Sequence, residues 1–246
     1  PPGLPHRAPP EIYTVYKSSA ASDVYKRQTV KVVPGSFDGI PKETRPEKVA
    51  ELEEGIWYVD LDRVTDDDFE AALPDLEKAK GIVFDMRGYP SNLNFGTWFP
   101  HLIEEPGTSA QWRVPVVTLP DRNDMTCPRS PGWQLTPKAP YLEAKRAFVI
   151  DGRAISYAES CMGIVEHYEL GELVGEATAG TNGNVNPFTL PGGYRVMWTG
   201  MQVLKHDGAQ HHGVGILPTT PVALTRAGVA AGRDERLEAA VEAVKR

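Results

Sequence analysis

The sequence predicts an α/β fold, and three observations carry that expectation. Runs such as "GIVFD" and "RAFVI" have the near-continuous hydrophobicity of strands covered on both faces. Other stretches place apolar residues at i, i+3, i+4 and i+7, the spacing of an amphipathic helix. The two kinds alternate along the chain, which favours helices crossing over a parallel sheet.

The elements follow in order. "TVKVVPG" (Thr29–Gly35) alternates like a short strand, and "PKETRPEKVAELEEG" reads as a charged linker. "GIWYVDL", rich in aromatic and β-branched residues, reads as a strand. Thr65 with Asp68 three residues on has the pattern of a capping box. Phe69, Ala72, Leu73 and Leu76 share one stripe of the helix it opens. Gly81–Asp85 is then a buried strand, completing a strand–helix–strand unit. Asn94–Ile103 is expected to be a second helix, "WRVPVVTLP" a strand or extended loop, and Asp121–Tyr141 a proline-rich excursion. Arg146–Ile150 is another buried strand, running into "DGRAISYAES". A helix is expected from Ser156, with Cys161, Ile164, Val165 and Tyr168 on its apolar stripe and Gly171 as its C-cap. "LVGEATAGTNGNVNPFTLPGG" reads as strand then loop, "YRVMWTGMQVL" as two strands about Gly200, "HDGAQHHGVGILPTTPV" as loop, and Arg233–Arg246 as an amphipathic helix.

Ser18–Gln28, "SSAASDVYKRQ", has neither apolar periodicity nor a capping pattern, and it resembles the in-frame translation of a sequencing adapter. Residues 1–28 are therefore expected to be foreign to the fold, as tags and fusion scars are. Residues 29–50 are expected to be a linker that could end a lost preceding domain, and 51–246 the functional core. The chain is expected to be truncated at its N-terminus, without a signal peptide.

Composition narrows the function. The 246 residues are 41% hydrophobic and 24% charged, enough apolar material for a core. A net charge of −7 argues against nucleic-acid binding, because no excess of Lys and Arg is present to neutralise phosphates. No apolar run reaches the ~20 residues of a membrane span. Two cysteines, Cys127 and Cys161, decide nothing about compartment. No P-loop, G-x-G-x-x-G, G-x-S-x-G or H-E-x-x-H is present, and neither a cofactor nor a metal site is expected.

Three segments could carry chemistry. In "VIDGRAISYAES" a buried strand ends, the chain turns, and Ser156 falls at the first turn of a helix. Unpaired N–H groups there are ready oxyanion donors for acyl transfer, although on spacing alone a plain helix N-cap is the commoner explanation of a serine. In "FDMRGYPSN" (Phe84–Asn92) a strand ends in a loop whose N–H groups around Gly88 to Asn92 could supply a second donor; an Asp85–Arg87 structural pair and tight turn is the alternative. In "KHDGAQHHGVGILPT" His211 and His212 are candidate general bases, or solvated loop histidines.

In this order, "FDMRGYPSN", "ISYAES", "GEATAGTNG" and "GVGILPTTPV" resemble the motifs of the C-terminal processing, or tail-specific, serine peptidases, including the tricorn core. The resemblance spans roughly Ile56 to Val222. It implies a ClpP/crotonase-like β-α superhelical core and an acyl-enzyme mechanism with Ser156 as nucleophile and Glu159 as the motif glutamate. Tyr157 and the loop residues Gly88, Ser91 and Asn92 are the implied oxyanion donors. It further implies an upstream PDZ domain, whose last strand "TVKVVPG" would suit. Implied too are a peptide or protein substrate, a possible assembly of like subunits, and a periplasmic or extracellular location. Gly180 is followed by Thr181-Asn182-Gly183 where one branch of the family has its lysine, so the tricorn-like Ser–His–Glu branch is the closer one. In that branch the histidine lies upstream of the PDZ domain, so the base is either absent from this chain or is His211 or His212. Ser91-Asn92 stands where the family has Gly-Gly, Pro218-Thr219 where it has Pro-Asp, and His212 where a glutamate is frequent. A non-catalytic member of the fold, binding peptides or apolar ligands, is the competing expectation.

Overall fold

The computed structural model describes residues 44–246 and the backbone of two short strands, Ile12–Val15 and Gln28–Lys31, which pair antiparallel. Those strands belong to one compact unit, Pro1–Arg45; a second unit comprises Pro46–Arg246 and holds the rest. The adapter-like stretch, but for Gln28, and the end of the "TVKVVPG" segment lie outside the described residues.

The second unit is built on a six-stranded sheet. In chain order its first elements are β1 (Val49–Glu53), β2 (Ile56–Asp60), α1 (Asp66–Leu76), β3 (Gly81–Asp85), the short α2 (Phe95–Trp98), β4 (Lys145–Ile150), α3 (Tyr157–His167) and β5 (Glu172–Gly175). A hairpin of β6 (Val185–Thr189) and β7 (Arg195–Thr199) follows, then β8 (Thr220–Pro221), α4 (Arg226–Ala230) and α5 (Glu235–Lys245). Across the sheet the order is β8-β5-β4-β3-β2-β1, and only β1 runs antiparallel to its neighbour. From β2 to β5 each connection steps one strand on in the same direction, and β8 extends the series. That progression makes a β-α superhelix of the parallel part, and the fold is α/β as expected.

Strand pleating sorts the side chains into two cores. Val59, Ile82, Phe84, Phe148, Ile150 and Leu173 face α1, α2 and α3, where Phe69, Leu76, Trp98, Cys161, Ile164 and Val165 meet them. Ile56, Tyr58, Val83, Ala147, Val149 and Val174 face the other way, onto Ala240, Val241 and Val244 of α5. This double covering is why "GIVFD" is apolar at almost every position: all five residues are buried. Each large apolar side chain so buried contributes about 1.5–3 kcal/mol.

The capping box at Thr65–Asp68 forms as the spacing predicts. Other expectations are corrected. Val49–Glu53 is a strand, not linker, so the core begins at Pro46 rather than 51; pairing with β2 outweighs its charged composition. The helix expected over Asn94–Ile103 is one turn of α-helix and then a 3-10 turn, Phe99–His101, where Pro100 cannot donate an amide. Gly171 does not cap α3. The cap is Tyr168, and Glu169 takes the left-handed conformation, φ 50°. Gly171 serves instead where the chain crosses β4: a Cβ there would lie 2.5 Å from the Arg146 carbonyl oxygen. The strand β8 and the short helix α4 had no signal in the sequence pattern.

Candidate active site

Ser156 stands where the parallel sheet delivers it. β4, a central strand, ends at Ile150; Asp151 accepts the Ala154 N–H at 3.0 Å to close a turn, and Ser156 leads into α3. Its φ of 50° and ψ of −111° lie in a region that side chains rarely adopt. Ordinary N-caps in the same molecule differ. Thr65, Asn94 and Thr225 have φ of −102°, −84° and −96°, in extended conformations; Ser156 also caps its helix, in a capping box with Glu159, but with a backbone outside that region. Ser156 is therefore held in a sharp strand-to-helix elbow. Its N–H donates to the Thr181 carbonyl at 2.9 Å. Among the described residues the next N–H, that of Tyr157, has no acceptor.

Glu159, one turn along α3, is fully buried and organises the neighbouring loop. Its carboxylate accepts from the Thr178 hydroxyl (2.6 Å), Gly180 N–H (2.7 Å), Thr181 N–H (2.9 Å) and Ser156 N–H (3.3 Å). Burial alone would raise its pKa, but His211, Thr178 and Gly180 outweigh that and hold it below the usual carboxylate range. Glu159 thus satisfies backbone donors and fixes the elbow.

The histidines lie on the same loop system. His211 is buried, with Nε2 3.4 Å from Glu159 Oε1 but no aligned hydrogen bond. His212 Nε2 lies 2.7 Å from the Asn182 carbonyl oxygen, and the Asn182 side chain donates to Ser160 Oγ at 3.0 Å. Both imidazoles therefore border the Thr181–Asn182 segment that receives Ser156. Among the described residues no histidine or lysine hydrogen-bonds the Ser156 side chain.

The loop after β3 is drawn against Ser156 by Tyr157. The phenol accepts the Phe95 N–H (2.6 Å) and donates to the Leu93 carbonyl (3.1 Å), and its ring packs 6.1 Å from Tyr89. Burial pushes this phenol's pKa up, so it stays protonated. Of the expected oxyanion donors, Gly88 gives its N–H to Met86 (2.9 Å) and Ser91 gives its own to Tyr89 (2.7 Å), so both are occupied inside the loop. Asn92 has no acceptor for its N–H among the described residues.

The Asp85–Arg87 pair is structural. Arg87 is fully buried and forks onto Asp85 (Nη2 to Oδ2, 2.6 Å) and onto Asp234 (Nη2 to Oδ2, 2.8 Å), the N-cap of α5. Desolvation opposes its charge, but the two carboxylates outweigh it and raise its pKa. Arg236 likewise ties α5 to Asp151 at 2.7 Å and to Glu176. Thr178, Thr181 and Asn182 were seen in the sequence only as part of a motif, and their contacts with Glu159, Ser156 and His212 were not expected. Their signal was the Gly/Thr/Asn composition of one loop, which says nothing of whom it bonds.

An open groove of about 870 Å³ lies beside His212, lined by Val114, Val117, Met125, Trp198 and Met201 among others. A larger one, about 930 Å³, opens at Lys145 and Glu172, where β4 and β5 begin. No group of metal-ligating side chains occurs among the described residues, and no helix there is long and apolar enough to cross a membrane.

The architecture, a spiral parallel sheet with a serine elbow at the head of a helix, defines a class of α/β proteins. Residues 136–222, which contain the elbow, Glu159 and both histidines, match the model of peptidase family S41. No curated protein matches the chain. Among solved structures, a putative peptidase from Parabacteroides merdae is similar with a TM-score of 0.64 at 20% identity, over 79% of this chain and 62% of that one. Mature CPAF complexed with lactacystin follows at 0.61 and 12%, over 77% and 51%. The photosystem II D1 C-terminal processing protease matches at 0.52 and 14%, over 90% and 55%. At such identities the likeness is one of fold, and the chain spans less than two thirds of each of these structures. The resemblance to the C-terminal processing peptidases thus stands on both sequence model and fold.

Proposed function

We propose that this chain carries the core of a serine endopeptidase of the C-terminal processing type, with Ser156 as nucleophile. The observation that carries the reading is the Ser156 elbow, φ 50° and ψ −111°, at the head of α3 within the segment matched to the peptidase model. In this reading Ser156 Oγ gives its proton to the base and attacks a peptide carbonyl; the C–N bond breaks, the amine leaves with that proton, and water then hydrolyses the acyl-enzyme ester to free Ser156 and a carboxylate. The Tyr157 N–H, with Asn92 across the cleft, stabilises the oxyanion; one such donor is worth about 3 kcal/mol in the transition state. Glu159 positions the elbow. His212 is the local candidate for the base, because its ring abuts the loop that receives Ser156. The groove beside His212 and the exposed β6–β7 hairpin offer apolar surface and open strand edges for an extended peptide. The periplasmic or extracellular location implied by the resemblance belongs to the same reading.

A second reading, a peptide-binding member of the fold without hydrolysis, is favoured by the imidazoles' other engagements. Labelling with a fluorophosphonate probe separates the two. The wild type is expected to label, Ser156→Ala to lose labelling completely, and His212→Ala to slow it at least about 100-fold if that ring is the base. A folded wild type that does not label would sink the hydrolytic reading for this chain. Unchanged labelling in His212→Ala would remove His212 as base and leave Ser156 in place.

A further inference from the structure

A second cleft, of about 380 Å³, opens beside the C-terminal end of α3, where Arg113, Arg129, Lys205, His167, His206 and Thr108 line it. Arg113 and Arg129 sit directly opposite each other in an isolated antiparallel bridge. Ser130 N–H donates to the Trp112 carbonyl (2.7 Å) and Val114 N–H to that of Pro128 (3.4 Å), so the arginines form the non-hydrogen-bonded kind of pair. In such a pair the Cα atoms stand about 4.5 Å apart, with both side chains on one face. Like charges placed so are destabilising. Several other arginines are paired with carboxylates: Arg63 with Asp60, Arg87 with Asp85 and Asp234, Arg236 with Asp151. Among the described residues neither Arg113 nor Arg129 has an ion-pair partner.

The other lining groups do not make up the difference. Lys205 is paired with Glu166 at 2.6 Å, and Asp207, a carboxylate that also lines the cleft, turns one oxygen to the Ala209 N–H at 2.9 Å and pairs with neither arginine. His206 Nε2 lies 2.8 Å from the Thr108 carbonyl, and its ring stacks on His167 with centroids 4.0 Å apart. These contacts fix the wall of the cleft and leave both guanidinium groups that line it without a carboxylate partner within ion-pair distance among the described residues. A planar or tetrahedral oxyanion accepts from two such forks at once and removes their repulsion.

We propose that this cleft binds a compact oxyanion, a carboxylate or a phosphate group, between Arg113 and Arg129. The site is distinct from the serine elbow: α3 separates His167 from Ser156 by about 16 Å of helix. Arg113 also lines the groove beside His212, so the anion site borders the surface on which a peptide would lie. The inference does not depend on hydrolysis at Ser156, and its test reads binding alone.

The test is calorimetric titration of the full chain carrying Ser156→Ala, at constant ionic strength. Three probes are used: inorganic phosphate, an N-acetylated hexapeptide with a free terminal carboxylate, and the same peptide amidated. Saturable binding of phosphate or of the free-carboxylate peptide, but not of the amide, is expected. Each of Arg113→Gln and Arg129→Gln should weaken it at least about tenfold, and Arg226→Gln on α4 should leave it unchanged. Binding of phosphate alone assigns a free phosphate; binding of the carboxylate peptide alone assigns a chain end. No saturable binding of either, or an affinity unchanged in both arginine variants, overturns the proposal. Melting in anion-free buffer is the folding control. Removing one guanidinium should leave the melting temperature equal or higher, and a fall in both variants would mean that the arginines make structural contacts instead, which also overturns it.

Discussion

Ser156 holds a backbone conformation that costs a non-glycine residue about 1–3 kcal/mol. The hydrogen bond to Thr181 and the Glu159 clamp keep it there against that cost. Ser156→Gly should therefore stabilise the protein by about 1 kcal/mol while abolishing probe labelling, as read by urea denaturation and labelling of the same sample. A destabilised glycine variant would contradict the strained elbow. The serine was singled out by the motif resemblance, since its place after a buried strand fits a plain helix cap as well. Its conformation was not legible, because a helix N-cap and a strained elbow are written with the same residue types.

At the scale of elements, α5 is the clasp of the parallel sheet. Its apolar stripe covers the second face, and its N-terminus is bonded to the strand ends by Arg87–Asp234 and Arg236–Asp151. Removing one partner of a buried ion pair leaves the other uncompensated, at a cost of about 3–5 kcal/mol. Arg87→Met should destabilise by about that amount, with amide hydrogen exchange of α5 accelerated beyond that of α1. Equal protection in both helices would show that α5 holds by its apolar stripe alone. The helix and its stripe were readable from apolar spacing. Its ionic anchors were not, because Arg87 and Asp234 lie 147 residues apart and no local pattern couples them. β1 was missed for a different reason: its partner β2 is only two residues away, across Glu54-Gly55, but its charged composition masks the strand.

For the whole molecule, acid is the revealing condition. Asp68 has its pKa lowered to about 2, chiefly by Lys48 and Thr65. Glu159 is lowered despite burial by His211, Thr178 and Gly180, and Asp151 despite burial by Arg153 and Arg236. With folded values below unfolded ones of about 3.9–4.3, the unfolded chain binds protons first as pH falls. Their stabilisation is thus full above about pH 5 and is lost on acidification, for Asp68 down to about pH 2. Urea midpoints should fall steadily from pH 5 to pH 2, and Glu159→Gln, though less stable at pH 7, should show a shallower fall. Parallel pH profiles for the two proteins would remove Glu159 from this account.

The sequence by itself determined the alternation of buried strands and amphipathic helices, the capping box at Thr65, and the order of motifs in which Ser156 and Glu159 resemble one family pattern while the histidines depart from it. These are local properties: periodicity, capping and composition act over a few residues and survive without knowledge of the fold. The tertiary structure alone decided that Ser156 is an elbow, that Glu159 anchors a loop, that His211 and His212 face Glu159 and Asn182, and that Arg113 meets Arg129. Each of those rests on contacts between segments distant in the chain. Their energies depend on distance, burial and angle, which only the closed sheet and its crossovers set.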